Sequence, residues 1–302
     1  MKILITGSTG LVGTALTQDL QRAGHTVCRL VRPGTSTQAI GNSQGFDVNW
    51  NPATGELGGA AVGADAVVNL AGASIAEKRW TPQRKQLLRS SRIDTTRSLV
   101  AALAKMSARP RVLISASATG IYGNRGDETL TETSQPGNDF LSETAREWES
   151  EALKAEALGI RVVRARFGVI LSKQGGALPQ MIRPFQFGVG GKIGTGKQWL
   201  SWITLDDVIA ILRLALDANL TGALNLVSPQ PVTNAGFTKI LAATLHRPAI
   251  FPVPAFALHL LLGQMADALL LSSQRVQPTQ LQKLNYQFTH PDLATALAAI
   301  LK

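Results

Sequence analysis

The stretch Lys2–Gly13, "KILITGSTGLVG", decides the fold. Lys2 to Thr6 is a short apolar run that stops at a glycine, the pattern of a buried strand. From Leu11 to Ala23 the residues Leu11, Ala15, Leu16 and Leu20 recur on one helical face, and Gly24 closes the segment as a C-cap would. Between strand and helix stand three glycines. Gly7 permits a tight turn, Gly10 lets the backbone approach a pyrophosphate, and Gly13 lets helix and strand pack closely. Thr9, Leu11 and Val12 complete the turn, whose free amides and helix dipole favour a bound phosphate. A glycine fingerprint alone is a weak signal, but here strand and helix are both in place.

The end of the second strand selects the dinucleotide. Thr26 to Val31 reads as that strand, and "VCRLVRPG" follows the helix. An NAD-binding fold places an acid there for the ribose 2′-hydroxyl. Val31 holds that position and Arg32 follows it. A guanidinium suits a 2′-phosphate through charge-assisted bonds, so NADP(H) is the expected cofactor. The plain alternative is a solvated loop arginine. Arg29 alternates with Arg32 and aims elsewhere.

Outward from this unit, "AVVNL" (Ala66 to Leu70), "RVLIS" (Arg111 to Ser115) and "RVVRA" (Arg161 to Ala165) are further strands. Long helices are predicted over Thr81 to Lys105 and Asp139 to Leu158. Strands alternating with helices of this length give an α/β doubly wound parallel sheet with helices on both faces. The texture changes from Pro179 and the domain change is placed near Ser172, so we expect a dinucleotide-binding domain over 1–172 and a smaller, mostly helical C-terminal substrate domain over 173–302. Within the latter, about 203–228 returns to the first domain, through a helix at Leu205 to Leu216 and a strand at Gly222 to Val227.

Composition narrows the functional classes. Of 302 residues, 45% are hydrophobic and 17% charged, which supports a packed core rather than disorder. The one cysteine, Cys28, excludes an internal disulfide and reads as a buried thiol. Four scattered histidines show no metal-ligand spacing, so no metal is expected. The net charge of +10 is spread without a basic run and aromatics are only 5%, against nucleic-acid binding. "MKILITG" is too short in apolar residues for a signal peptide. Phe251 to Leu271 is apolar but interrupted by prolines, His259, Gln264 and Asp267, and reads as core helix rather than as a span of about 20 residues. A soluble cytoplasmic protein without membrane contact is expected. The apolar tail could cover the substrate crevice or form a homodimer interface. "GKIGTGKQ" (Gly191 to Gln198) nearly fits a Walker phosphate loop, but Gln198 stands where Ser or Thr should bind Mg²⁺.

With "TGSTGLVG", "VNLAG" (Val68 to Gly72) and "SASATGIYG" (Ser115 to Gly123), the chain resembles the extended short-chain dehydrogenase/reductases, the group of UDP-galactose epimerase. It is most similar to a branch labelled the epimerase family, sometimes cell-division-inhibitor-like. "GGALPQMIRPFQFGVGGKIGTG", "SWITLDDV" and the tail "LLLSSQRVQP" carry that likeness over nearly the whole chain. The resemblance implies the NAD(P)-binding Rossmann fold. It puts Leu70 and Ala71 against the adenosine side of the cofactor, and Arg92 near its phosphates or ribose. A helix-surface arginine is the alternative for Arg92. Asp206 and Asp207 match an element we read as a helix N-terminal anchor.

In active members of the superfamily a tyrosine moves the proton while hydride moves, and a lysine four residues on lowers the tyrosine pKa. A phenol of ordinary pKa, about 10, is otherwise a poor base at neutral pH. The chain has two tyrosines, Tyr122 and Tyr286, and neither has a lysine four residues on. In "DFLSETAREWE" (Asp139 to Glu149) the resemblance puts Phe140 or Leu141 at the tyrosine position and Thr144 or Ala145 at the lysine position. The remaining candidates are Ser117, matching the serine that hydrogen-bonds a substrate hydroxyl or keto group, and Tyr122, as a substitute acid or a pocket-lining ring. Glu143 is a further candidate base, with a solvated helix face as its plain reading. The expectation is an NADP(H)-binding oxidoreductase or epimerase-like protein with an atypical catalytic centre. Its substrate would be a small polar molecule, with a nucleotide sugar among the candidates. The alternatives are an NADP(H)-binding protein without catalysis, in a structural or redox-sensing role, and, remotely, a basic nucleic-acid-binding module.

Overall fold

The structure is a computed structural model that describes residues 1–34 and 45–302. Its frame is an eight-stranded sheet. The strands are β1 (Lys2–Thr6), β2 (Thr26–Val31), β3 (Gly45–Asn51), β4 (Glu56–Leu57), β5 (Ala66–Asn69), β6 (Val112–Ala118), β7 (Arg161–Phe167) and β8 (Gly222–Leu226). Their order is β8-β7-β6-β5-β1-β2-β3-β4, and every pairing is parallel except β3 with β4. The order reverses direction at β1, so the crevice beyond the strand ends there is the place for a ligand.

Alternation along the strands builds two cores. Ile3 and Ile5 face helices α1 (Leu11–Arg22) and α5 (Leu205–Asp217), while Leu4 faces α2 (Pro82–Ala104) and α3 (Phe140–Leu153). Each strand of the centre is buried on both sides, which is why it reads as a continuous apolar run. Cys28 lies in the second core, where burial pushes its thiol pKa up. The helix starts are set by side chains. Thr81 accepts from the Arg84 amide at 3.1 Å beside Pro82, and Asp139 accepts from the Ser142 amide at 2.9 Å.

The C-terminal part adds α4 (Leu178–Gln186), α6 (Asn234–Leu245) and α8 (Leu293–Leu301) around a third core that includes Trp202 and Phe237, and α7 (Ala255–Leu262), whose Leu262 packs instead with Trp80 and Met265. It is tied back to the sheet by Asp207. That carboxylate accepts from its own cap, Thr204 Oγ1, at 2.9 Å and from the Thr289 amide at 2.8 Å. Asp207 is fully buried, so the anchor role expected of this position has a definite object, the 286–290 segment.

Four segments differ from the sequence expectation. β3 was not anticipated, because "GFDVNWN" buries only Val48 and Trp50 and lacks an apolar run. β6 continues to Ala118, past the end of its pairing with β5 at Ser115, because β7 pairs with it as far as Phe167. The helix over 139–158 is α-helical only to Leu153, and its last turn tightens before Gly159, at φ +79°. Phe251 to Leu271 is not a core helix. The prolines delay α7 to Ala255 and Gly263 ends it, leaving Phe256 and Leu260 exposed. No helix among the described residues is long and apolar enough to cross a membrane.

Candidate functional site

The glycine turn shows which of its glycines serve the fold and which the ligand. Gly7 has φ +65°, and a Cβ there would sit 2.5 Å from the Leu70 carbonyl oxygen. A Cβ on Gly13 would lie 2.2 Å from the Gly7 oxygen. Both positions are closed to side chains by the protein itself. Gly10 is different: its nearest atom would be the Gly7 oxygen at 3.4 Å, an ordinary contact, and its φ of −77° suits any residue. Nothing in the fold requires glycine there, so its bareness serves what lies outside. Gly10 is also the N-cap of α1 and offers no side-chain cap, leaving the first amides of the helix uncapped.

A chain of buried hydrogen bonds locks this turn to the neighbouring strand ends. Thr6 Oγ1 donates to Asn69 Oδ1 at 2.7 Å and accepts from the amides of Leu70 and Ala71. Asn69 Nδ2 donates to Thr96 Oγ1 at 2.8 Å, and Trp148 Nε1 donates to the same oxygen at 2.9 Å. Thus β1, β5, α2 and α3 are pinned to one another beneath a cleft of about 480 Å³. Gly7, Gly10, Leu11, Val12 and Gly13 line one end of it, with Leu70, Ala71, Arg92 and Ser117 further along. Leu141, Ala145 and Trp148 on α3 line the other end.

Thr9 is exposed on the turn and stands outside this lining. Arg32 follows β2 directly and is exposed, with no hydrogen bond or ion pair among the described residues. Arg29 does aim elsewhere, its Nε lying 2.6 Å from Asp47 Oδ1. An open glycine, uncapped helix amides and an uncommitted guanidinium beyond β2 fit a phosphorylated dinucleotide.

The α3 end is made of side chains. Phe140, Leu141, Thr144 and Ala145, the four residues at the dyad positions, all reach the cleft. The one hydroxyl among them, Thr144 Oγ1, donates to its own helix at the Phe140 carbonyl, 2.7 Å away. Glu143 points to solvent, outside the lining, so it does not serve as a base there.

Ser117 is on the lining but nearly buried, and its hydroxyl donates to Glu149 Oε1 at 2.7 Å. Glu149 in turn holds Arg166 by two bonds, at 2.7 and 2.9 Å, and Arg164 at 2.9 Å. Burial raises the Glu149 pKa, but Arg166, Ser117 and Arg164 outweigh it and keep the carboxyl below its ordinary value. With Glu149 ionised at neutral pH, Ser117 is fixed as a donor towards the interior, so towards the cleft its oxygen can only accept. Sequence reasoning missed Glu149. The signal was available, since it follows Ala145 by four residues and so shares the face of α3 that reaches the strands.

Tyr122 is a correction. Its ring is wholly buried and does not line the cleft. The hydroxyl donates to Asn225 Oδ1 at 2.7 Å and accepts from Arg166 Nη1 at 2.8 Å. Burial pushes its pKa up against the pull of Arg166. Tyr122 ties β8 to the Glu149–Arg166 cluster and is neither an acid nor a lining ring. The polar substrate expected from sequence also meets a mostly apolar surface, with Ile75, Leu88, Phe140 and Phe167 on it. Among the described residues, no group of three or more His, Cys, Asp or Glu could hold a metal ion.

Comparison with known proteins agrees with this geometry. Residues 3–226 match the NAD dependent epimerase/dehydratase family, and residues 253–300 match a domain of unknown function, DUF1731. An epimerase family protein of Mycobacterium bovis is 42% identical over 98% of this chain and 96% of its own length. The crystal structure of human epimerase family protein SDR39U1 with NADPH superposes with a TM-score of 0.87 at 32% identity, covering 99% of both chains. UDP-glucuronic acid 4-epimerase from Bacillus cereus, solved with NAD, has a TM-score of 0.78 at 18% identity, covering 99% of this chain and 95% of its own; that likeness is one of fold alone.

Proposed function

The chain belongs to the NAD dependent epimerase/dehydratase family, within the extended short-chain dehydrogenase/reductases, and from that premise we propose that it is an NADP(H)-dependent oxidoreductase that works without the tyrosine–lysine dyad. The observation that carries the cofactor is Arg32, exposed and unpaired among the described residues, directly after Val31, which stands where an NAD-binding fold would present an acid. NADPH in a similar protein, human SDR39U1, supports the same reading.

Bound in the cleft, the cofactor supplies a hydride. The protein's own residues hold and exclude. The α1 amides take the pyrophosphate and Arg32 takes the 2′-phosphate. Leu141, Ala145 and Trp148 keep water from the reacting end. Ser117 presents lone pairs, which suits a substrate hydroxyl or amide N–H rather than a carbonyl. Calorimetry tests the cofactor directly, and we expect NADPH to bind at least about tenfold more tightly than NADH. Equal affinity, or preference for NADH, removes the proposal.

A second reading has one observation in its favour. The α3 face carries no side chain able to give or take a proton in the cleft, since Thr144 is satisfied by its own helix. On that reading NADP(H) is a structural or sensing ligand. Tight NADPH binding, with no consumption of NADPH in a broad screen of carbonyl compounds, selects it.

A further inference from the structure

Arg92 is a cation without a counter-ion. It lies on α2 and, among the described residues, is the one charged side chain on the cleft lining. Its guanidinium donates to two main-chain carbonyls, Leu88 O at 3.0 Å and Ala73 O at 2.9 Å. It lies against the Trp148 ring, 5.4 Å from the centroid. No carboxylate among the described residues pairs with it. The carboxylates nearby are taken: Glu77 by Arg84, Glu147 by Arg89, and Glu149 by Arg164 and Arg166. Burial, with Arg84 adding to it, lowers the Arg92 pKa to about 10, which still leaves it charged at neutral pH. Lys85, the other cation near this end, lies over the Phe140 ring and bonds Gln264. Two carbonyl dipoles and a ring face do not neutralise a full charge taken out of water.

The surroundings limit what can answer that charge. Beyond Ser74, Ser117 and Thr144 the side chains that share the lining with Arg92 are apolar, and the last two hydroxyls already donate elsewhere. Behind it Phe140 and Leu141 pack with Trp80, Leu88 and Met265, Trp80 meeting Phe140 edge to face at 5.3 Å. A nucleotide sugar brings many hydroxyls and a diphosphate, which such a wall leaves largely unsatisfied. The geometry points to a substrate of another class: a small apolar or aromatic molecule with one carboxylate, its carbon body against Phe140, Leu141 and Trp148 and its anionic end on Arg92. This rests on the cofactor reading only in that NADP(H) fills the glycine-turn end. It gives Arg92 to the substrate instead of the cofactor.

The test is calorimetry with two probes of equal shape, 3-phenylpropionate and 3-phenylpropanol, on protein saturated with NADPH. We expect the acid to bind at least about tenfold more tightly than the alcohol. Arg92→Gln should erase that preference while NADPH affinity stays within about twofold, and Arg92→Lys should retain part of it. Equal binding of acid and alcohol by the unaltered protein, or binding of neither, overturns the inference, and this comparison does not depend on a variant that folds. It is also overturned if Arg92→Gln keeps the preference, or weakens NADPH as much as Arg32→Gln does. If the unaltered protein ignores NADPH yet still prefers the acid, the cofactor reading fails and the assignment of Arg92 stands.

Discussion

At the β1 end of the cleft the ligand-facing surface is main chain; at the α3 end it is side chain. The first is three glycines, the opening amides of α1 and one exposed arginine outside the lining. The second is an apolar helix face laid over a buried ion cluster, with partners as far apart in sequence as Tyr122 and Asn225. A site made of backbone is written in consecutive residues, because the turn that shapes it is local. A site made of side chains is assembled by the sheet, and its members carry no common motif. The two ends should therefore fail in different ways.

The largest effect is expected at the α3 end. Glu149→Gln leaves Arg166 and Arg164 facing an amide in a buried position, and removing one partner of a buried pair costs roughly 3–5 kcal/mol. Urea denaturation measures it. The pH dependence has a definite sign. The folded Glu149 pKa is below its ordinary value, so its contribution is fully present above the unfolded pKa of about 4.3 and is lost as pH falls through the folded value. The variant should lose less stability than the parent over that acid window. If Glu149→Gln weakens NADPH binding yet leaves the urea midpoint in place, the cluster belongs to the ligand and the contrast between the ends breaks down.

Next comes a pair of substitutions within the glycine turn. Gly13→Ala drives a Cβ into the Gly7 carbonyl, so stability should fall by the upper part of the roughly 1–3 kcal/mol range for overpacking. Gly10→Ala meets nothing closer than 3.4 Å, so the urea midpoint should hardly move while NADPH affinity drops. Equal losses of stability in both variants would show that Gly10 also serves packing.

Arg32→Gln should follow, weakening NADPH by about 10–100-fold, the size of a charge-assisted bond, with NADH unchanged. Calorimetry with both dinucleotides reads the difference. An equal loss for both would mean that Arg32 acts through the shape of the loop after β2, and not on the extra phosphate.

These contrasts explain what the sequence could disclose. The strands β1, β2 and β5 were legible because burial on both faces makes each a short, mainly apolar run. β3, at the rim, buries two side chains and gave no such run. The shape of the glycine turn and the place of Arg32 directly after β2 were legible because both follow from neighbours in sequence. The loss of the dyad was legible by the same rule, since its two positions share one helical turn. Tyr122 was misjudged because its fate is set by Arg166, 44 residues away, and Asn225, 103 away. Glu149 was overlooked in favour of Glu143, although its place four residues after Ala145 puts it on the face of α3 that packs on β6 and β7, a face Glu143 does not share.

The smallest expected effect is also the sharpest test of the α3 end. Thr144 stands at one of the vacant dyad positions and Glu143 beside it, and either would attract attention as a replacement proton donor. The geometry removes both. Thr144 Oγ1 is held by the Phe140 carbonyl at 2.7 Å, and Glu143 faces solvent. Glu143→Gln should change stability by no more than about 0.5 kcal/mol and Thr144→Val, which removes one buried hydrogen bond, by roughly 0.5–1.5 kcal/mol, and both should leave NADPH affinity and any NADPH-consuming activity unchanged. A tenfold loss of activity in Thr144→Val, with binding intact, would mean that its hydroxyl turns from its own helix to the substrate during the reaction. The face would then hold a proton donor after all, and the reading of NADP(H) as a structural or sensing ligand would lose the observation that favours it.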